Sequence, residues 1–485
     1  MDLWDFSNLV THGLWKPVPH LNLLVEILHF AFNGQIENFA CALSPRSGKS
    51  MIISEIFPAY ILGMRPYAKI IHVSYSDSIA RRFGGKAKDI LDEFGNLFPT
   101  KPLLSQNTKA KNYFKIHNNT GEYFCSGSSG SVLGRGGHFI IVDDPTKNIE
   151  DARSERHQEK LLDLFDTTIS TRKEKDPHTG QNAVTIVIHQ RLDENDLIGI
   201  ILKSREWIPA EEALPRLRHG EKLGHIWVYL RLPELAEEND ILGRKPGEAL
   251  WPEKRSEKEL AQIKQDIGEI KFNAIHQQKP QPLGDKLLKT SWIKYYQLKE
   301  RPPLDELDIY QGWDLAISQK TAADYTVCTT IGVSKNNEIY VLDMYRDKID
   351  FPTQVKMVKL MYEKWQPLEI GIEVNAYQRA LAQTMEQTSI LPIKEVTTTK
   401  DKVTRITSGF VHFENGRILL PETHIELENF INEYKHFPHS KHHDDMLDSL
   451  ELTLQLARDI YEYDNDILWM IAGGPRNYYN DYTFY

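Results

Sequence analysis

From Asn38 to about Leu202, short apolar runs rich in Val, Ile and Phe alternate with stretches of helical period. The runs are NFACAL (from Asn38), KIIHVSYS (from Lys69), HFIIVDD (from His138) and AVTIVIH (from Ala183), with helices expected from Lys49 and through Arg82 and Ile90. Strands and helices in alternation bury their apolar sides as a mostly parallel sheet covered on both faces. Before this block, residues 1–37 read as mostly helical, with LNLLVEILHFAF at helical spacing. Residues 203–265 are mixed in pattern.

A second pattern begins near Asp308. IYQGWDLA, DYTVCTTIGVS and EIYVLDMYRD read as three successive strands, with a hairpin turn at Lys335-Asn336-Asn337. A helix, the strand LEIGIEV, a further helix and a final helix from about Asp444 complete a second α/β unit with a mixed sheet. Between the two lies the Pro-rich, polar HQQKPQPLGDK, a candidate linker. The expected division is a helical segment at 1–37, a first α/β domain at 38–270, a linker at 271–305, a second domain at 306–460 and a tail at 461–485. A chain of 485 residues fits two such domains. No apolar run reaches the ~18 residues of a membrane span, and MDLWDFSNLV lacks the basic and apolar regions of a secretory signal, so a cytoplasmic setting is expected. Cys41, Cys125 and Cys328 are too scattered for a disulfide framework or zinc site.

Between the first strand and the first helix the chain reads LSPRSGKS, Leu43 to Ser50. In a phosphate-binding loop, backbone N–H groups and a helix N-terminus cradle the phosphates, the lysine reaches the β and γ phosphates, and the next hydroxyl binds magnesium. Arg46, Ser47, Gly48, Lys49 and Ser50 are the residues in place for this, although Leu43 stands where the motif has its first glycine; an ordinary loop is the alternative. HFIIVDD puts Asp143 and Asp144 at the C-terminal end of a buried strand, where α/β sheets bind ligands. Asp143 would hold magnesium together with Ser50, and Asp144 would orient the attacking water; a strand-ending turn is the bland reading. Arg135, eight residues before Asp143 in a glycine-rich stretch, could stabilise γ-phosphate charge from its own or a neighbouring subunit, or bind DNA. His189 and Gln190, after the next strand, could sense the γ-phosphate.

In the second pattern, Asp314 and Glu373 end strands, and Asp444, Asp445 and Asp448 cluster at the start of the last helix. Carboxylates converging from separated positions repel unless a hard divalent cation is bound. Two such ions could activate water and stabilise the leaving oxygen of a phosphodiester. The order, a meander with Asp, a strand with Glu and a helix with D-D-x-x-D, is that of an RNase H-like nuclease. Taken singly, Asp314 could be a turn residue and Asp444 a helix cap. Asp324, His442 and His443 are candidate helpers. A net charge of −10 argues against coating nucleic acid along the whole surface. Local basic clusters remain, at Arg81, Arg82, Lys86 and Lys88 and at Lys394, Lys400, Lys402 and Arg405, with a solvated face as the alternative.

From about Asn38 to Ala457 both halves resemble the large terminase subunits of tailed double-stranded DNA bacteriophages. That family has a deviant phosphate loop with an arginine, like Pro45-Arg46-Ser47-Gly48-Lys49-Ser50. Its acidic pair often carries Glu where Asp144 stands. His189-Gln190-Arg191-Leu192-Asp193-Glu194-Asn195-Asp196-Leu197 resembles its coupling motif, and FNAIHQQKPQPLGDKL its linker into the nuclease. The resemblance implies an N-terminal P-loop ATPase, an RNase H-like nuclease, and Asp314, Glu373 and Asp445 as metal ligands, with Asp448 or Asp444 as a fourth. It implies ATP with Mg2+ in the first site and two Mg2+ or Mn2+ in the second. The implied partners are double-stranded DNA, a portal protein and a small terminase subunit. The chain would form a ring of identical subunits when docked on the procapsid portal, with a monomer in solution as the alternative, in the cytoplasm of the infected bacterium. The tail would be a candidate portal-docking element. Rival readings are a helicase-like or repair ATPase with an appended nuclease, and a capsid-assembly scaffold whose sites are vestigial.

Overall fold

The computed structural model describes residues 1–12, 18–128, 130, 134–282, 287–315, 325–373, 391–398, 401–438 and 443–457. Asp324, Lys400, His442 and the expected tail lie outside them. The chain divides into two compact units: Met1–Gln262 with Ile270–Gln281, and Ile263–Glu269 with Pro282–Tyr485.

The first unit is built on nine strands: β1 (Asn38–Leu43), β2 (Lys69–Ser74), β3 (Leu104–Ala110), β4 (Tyr113–Ile116), β5 (Glu122–Gly127), β6 (Phe139–Asp143), β7 (Val184–His189), β8 (Trp207–Pro209) and β9 (Trp227–Leu232). Their order in the sheet is β3-β4-β5-β2-β6-β7-β1-β9-β8. All neighbours are parallel except the β3-β4 and β4-β5 pairs at one edge. The continuous apolar runs follow from burial on both faces. Phe39, Cys41 and Leu43 of β1 point into one core with Leu24, Ile27 and Ile53, while Ala40 and Ala42 point into the other with Leu161, Leu164 and Ile198. The N-terminal helices Leu3–Val10 and Pro19–Phe32 belong to the first of these cores, with Leu3, Phe6, Leu21 and Leu24 essentially unexposed. They therefore form part of this unit. All three cysteines are free and buried.

The expected linker is divided by the fold. Ile270–Gln281 belongs to the first unit, where Gln277 accepts from Leu235 N at 2.9 Å and Gln278 from Arg191 N at 2.9 Å. Lys294–Tyr296 is a strand of the second sheet. Polar residues that read as a loop are here satisfying buried backbone groups.

The second unit holds seven strands: β10 (Lys294–Tyr296), β11 (Asp308–Asp314), β12 (Thr326–Val333), β13 (Ile339–Asp347), β14 (Glu369–Glu373), β15 (Ile393–Val396) and β16 (Ile418–Pro421), in the order β10-β16-β13-β12-β11-β14-β15. β11, β12 and β13 form the expected antiparallel meander, and the remaining neighbours are parallel. The turn at Asn337, with φ of 59°, closes the β12-β13 hairpin. The helix Phe351–Trp365 covers one face over Trp313, Cys328 and Ile370, and the helix Asp445–Leu456 packs on β11 and β12. Both sheets thus match the expected α/β class, the first mostly parallel and the second mixed. Among the described residues no helix is long and apolar enough to cross a membrane.

Candidate functional sites

In the first unit, β1 runs into the loop Ser44–Gly48 and a helix that starts at Lys49 and continues through a π-helical turn, Met51–Ile56. Arg46 and Gly48 take positive φ, 61° and 87°, which turns the loop back over the strand end. At Gly48 a side chain would also meet Leu21 Cδ2 at 3.1 Å. The loop is braced from outside the motif. His20 Nε2 bonds to Ser47 O at 2.9 Å, and Ser47 Oγ donates to Ser44 O at 2.9 Å. Arg255 donates to Pro45 O at 2.5 Å and pairs with buried Glu234 at 2.6 Å, and Ser44 Oγ donates to Glu234.

The acidic pair faces this loop. Ser50 Oγ and Ser54 Oγ donate to the two oxygens of Asp143, at 3.2 and 2.6 Å. Lys49 Nζ lies 3.2 Å from Asp144 Oδ2, while Asp144 Oδ1 takes bonds from His189 Nδ1 at 2.9 Å and Gln190 N at 3.0 Å. The two neighbouring carboxyls are driven apart electrostatically. Burial, with Asp144 beside it, pushes Asp143 up. Burial would raise Asp144 too, but Lys49 and His189 hold it well below the usual carboxylate range. A lysine, a hydroxyl, one carboxylate on that hydroxyl and a second carboxylate on the lysine are the donor set for a magnesium nucleotide. The structure brings Ser50 to Asp143 and Lys49 to Asp144, with Gln190 N on the same carboxylate, and Arg46, Ser47 and Gly48 lie in the loop that leads to them.

Arg135 does not join them within this chain. Its guanidinium stacks on Tyr113 and Phe124, 4.2 and 4.5 Å from the ring centres, and lies 3.9 Å from Glu122. β5 is separated from β1 by β2, β6 and β7, four strand spacings or roughly 19 Å. Arg135 is thus not brought to the phosphate loop of its own chain, and the readings left for it are a neighbouring subunit's site and DNA. The bracing residues His20, Ser54, Glu234 and Arg255 were missed because they lie outside the loop and the acidic pair. Glu234 and Arg255 sit in the stretch whose pattern was mixed.

In the second unit, Asp314 and Glu373 end adjacent parallel strands, with Trp313 opposite Ile372. The helix Asp445–Leu456 reaches them because β11 has a glycine beneath it. A Cβ on Gly312 would stand 2.4 Å from Thr453 Oγ1 and 2.7 Å from Ser449 O. Ser449 Oγ donates to Gly312 O at 2.9 Å and bonds Thr329 Oγ1 at 2.9 Å. That close approach sets the first turn of the helix, with Asp445 and Asp448, beside Asp314. Burial pushes Asp314 well above the usual carboxylate range, and Asp448, Asp445 and Glu373 add to the shift. Thr398 Oγ1 donates to Glu373.

The clustered aspartates differ in their partners. Lys402 Nζ donates to Asp444 Oδ1 at 2.5 Å and contacts Asp448 Oδ2; Arg405 bonds Asp448 Oδ1 at 3.1 Å and also Glu451. Asp445 is not held this way. Its buried Oδ2 accepts no hydrogen bond, with His443 Nδ1 at 3.5 Å. Lys402 and Arg405 are therefore not the solvated basic face weighed from the sequence. Among the described residues no three His, Cys, Asp or Glu side chains are arranged so that they could hold a metal ion as they stand. The donor chemistry is nonetheless that of a hard divalent cation: Asp314 destabilised by its acidic neighbours, Glu373 beside it, and a buried carboxylate oxygen of Asp445 without a donor. Sequence reading also missed Arg346, whose guanidinium lies 3.6 Å from the centre of the Tyr325 ring. His443 meets the same ring edge-on at 5.2 Å.

Residues 311–456 match the terminase RNaseH-like domain family. No curated protein matches the chain. Among solved structures, similarity extends to the large terminase of a thermophilic bacteriophage in complex with ADP, at 11% identity and a TM-score of 0.44, covering 88% of this chain and 94% of that one. The large terminase of bacteriophage HK97 matches at 12% identity and a TM-score of 0.36, covering 91% and 95%. The large terminase nuclease of thermophilic phage G20c with bound magnesium matches at 14% identity and a TM-score of 0.28, covering 36% and 98%. The segment that matches the terminase RNaseH-like domain family, residues 311–456, is the one that holds Asp314, Glu373, Asp445 and Asp448.

Proposed function

We propose that this chain is the large terminase subunit of a tailed double-stranded DNA bacteriophage, coupling ATP hydrolysis to DNA packaging and cutting the DNA with its second unit. The observation that carries the reading is the match of residues 311–456 to the terminase RNaseH-like domain, and the acidic neighbours Asp448, Asp445 and Glu373 that act on Asp314 within it support it. The first unit supplies the other half: Lys49, Ser50, Asp143 and Asp144 form a nucleotide site on a separate sheet.

In the ATPase reading, the backbone N–H groups of Arg46 to Ser50 hold the phosphates, and Lys49 turns from Asp144 toward them. Ser50 and Asp143 hold Mg2+, which neutralises phosphate charge when bound. Asp144, fixed by His189 and Gln190 N, orients the attacking water. Arg135 acts on the nucleotide of a neighbouring subunit in a ring. In the nuclease reading, Asp314, Glu373 and Asp445 hold a divalent cation, with Asp448 or Asp444 completing the set. Mg2+ or Mn2+, when bound, supplies Lewis acidity and lowers the pKa of water. The ring docks on a portal protein in the host cytoplasm, and a small terminase subunit selects the DNA.

The test is cleavage of plasmid DNA by the purified chain in Mg2+, Mn2+ or chelator, alongside ATP turnover. Asp314→Ala is expected to abolish metal-dependent cleavage and spare ATP turnover, and Lys49→Ala to do the reverse. Cleavage unchanged in folded Asp314→Ala would remove the acid cluster from the reaction.

A further inference from the structure

The acid cluster of the second unit already contains a cation from its own chain. Lys402 opens the helix Lys402–Gly409, capped by Asp401, whose Oδ1 accepts from Thr404 N at 3.0 Å. Its ammonium donates to Asp444 at 2.5 Å and contacts Asp448. One turn later on the same helix Arg405 holds Asp448 and Glu451. The acidic row Asp444, Asp448 and Glu451 on one helix is thus zipped to a basic pair on another. At the same helix start, Asp445 keeps a buried oxygen that accepts no hydrogen bond. Arg405 is largely buried and pairs with two acids, whereas Lys402 is over a third exposed at its side chain and bridges Asp444 and Asp448.

We infer that Lys402 is the resident counter-ion of the nuclease site and that the divalent cation must displace its ammonium from Asp448 to bind. The inference rests on the nuclease reading above and adds a residue and a role to it. A cation of fixed charge beside the acids keeps them from repelling one another before metal arrives, and it competes with metal for the same carboxylates. Once released, the ammonium remains on the rim of the site, where a DNA phosphate would meet it. Lys402 is a positioning residue in this scheme.

The test uses the full chain without nucleotide or DNA, with Mn2+ alone as probe, followed by the paramagnetic signal of free Mn2+. Asp445→Ala identifies the fraction bound at the nuclease site. Lys402→Gln is expected to bind Mn2+ at that site about tenfold more tightly than the native chain, because one unit charge beside the metal is gone. Lys402→Arg, which keeps the charge, is expected to bind as the native chain does. Equal or weaker binding by Lys402→Gln, with the Asp445-dependent fraction intact, overturns the inference and leaves the nuclease site standing. If Asp445→Ala removes no bound Mn2+ from the native chain, the site reading fails and takes the inference with it. Should Lys402→Gln not fold, acylation of the Lys402 amine in the native chain, measured by mass spectrometry, decides the matter. Labelling is expected to rise severalfold when Ca2+ is added, and unchanged labelling overturns the inference.

Discussion

Asp144 is one methylene shorter than the Glu that often stands at this place in large terminase subunits, and the residues around it make up the difference. With φ of 41° its backbone turns off the strand end, and His189 Nδ1, Gln190 N and Lys49 Nζ fix both carboxylate oxygens. His189→Ala is expected to lower ATP turnover roughly tenfold to a hundredfold through misplacement of that carboxylate, with nucleotide affinity unchanged. Loss of affinity instead would make His189 part of the binding surface. Glu433 shows the opposite electrostatic case. Burial, with Asp445 and Asp444 beside it, pushes its carboxyl up to about 7 from an ordinary 4.5. The folded chain therefore retains a proton that the unfolded chain gives up. This stabilisation is full below pH 4.5 and is lost as pH rises through about 7. In chelator, the advantage of Glu433→Gln in unfolding free energy is expected to grow by about 2 kcal/mol from pH 5 to pH 8. A pH-independent difference in urea titrations would remove Glu433 as the cause.

Two elements carry the sites, and each depends on a residue that no catalytic motif contains. The helix Asp445–Leu456 lies on β11 only because Gly312 has no side chain; Ser449 and Thr453 then bond to the strands beneath. Gly312→Ala is expected to cost about 1 to 3 kcal/mol through overpacking. It should also weaken Mn2+ binding by moving Asp445 and Asp448 from Asp314. Native stability and metal affinity in the folded variant would refute this account of the packing. In the first unit, Arg255 ties the phosphate loop to Glu234. Arg255→Ala leaves that buried carboxylate without its cation, which is expected to destabilise the unit by about 3 kcal/mol and to reduce nucleotide affinity. Calorimetric unfolding and nucleotide titration of the variant measure both.

At the scale of the whole molecule, the two units have separate sheets and separate cores. A ligand that binds only the folded form of one unit stabilises that unit. A non-hydrolysable ATP analogue with Mg2+ is expected to raise the unfolding temperature of the first unit, and Ca2+ alone that of the second, as two separable calorimetric shifts. A single shift common to both ligands would mean that the units unfold as one.

How much of this was legible in the sequence follows from the range of the interactions involved. Runs such as FACAL and FIIVD are buried on both faces and announce central parallel strands by composition alone. LSPRSGKS and the Asp143-Asp144 pair announce a site because loop, lysine and strand-end carboxylate are local features. The order of β11, β12 and β13 was equally readable from three apolar runs and one turn. The strands β3 to β5, β8 to β10, β15 and β16 were not recognised, since they are short or lack a clear period and their place is decided by sheet neighbours. The glutamines Gln277 and Gln278 looked like linker residues, yet their amides close hydrogen bonds to segments far away in sequence. The acids of the second unit were nameable one by one. Which of them stand free for a cation and which are held by Lys402 and Arg405 depended on two helices meeting. The sequence by itself determined the element types and the chemical groups at strand ends and helix starts, because those depend on near neighbours. Only the tertiary structure decided the partners of each charge, because ion pairing depends on distances between elements that the chain brings together last.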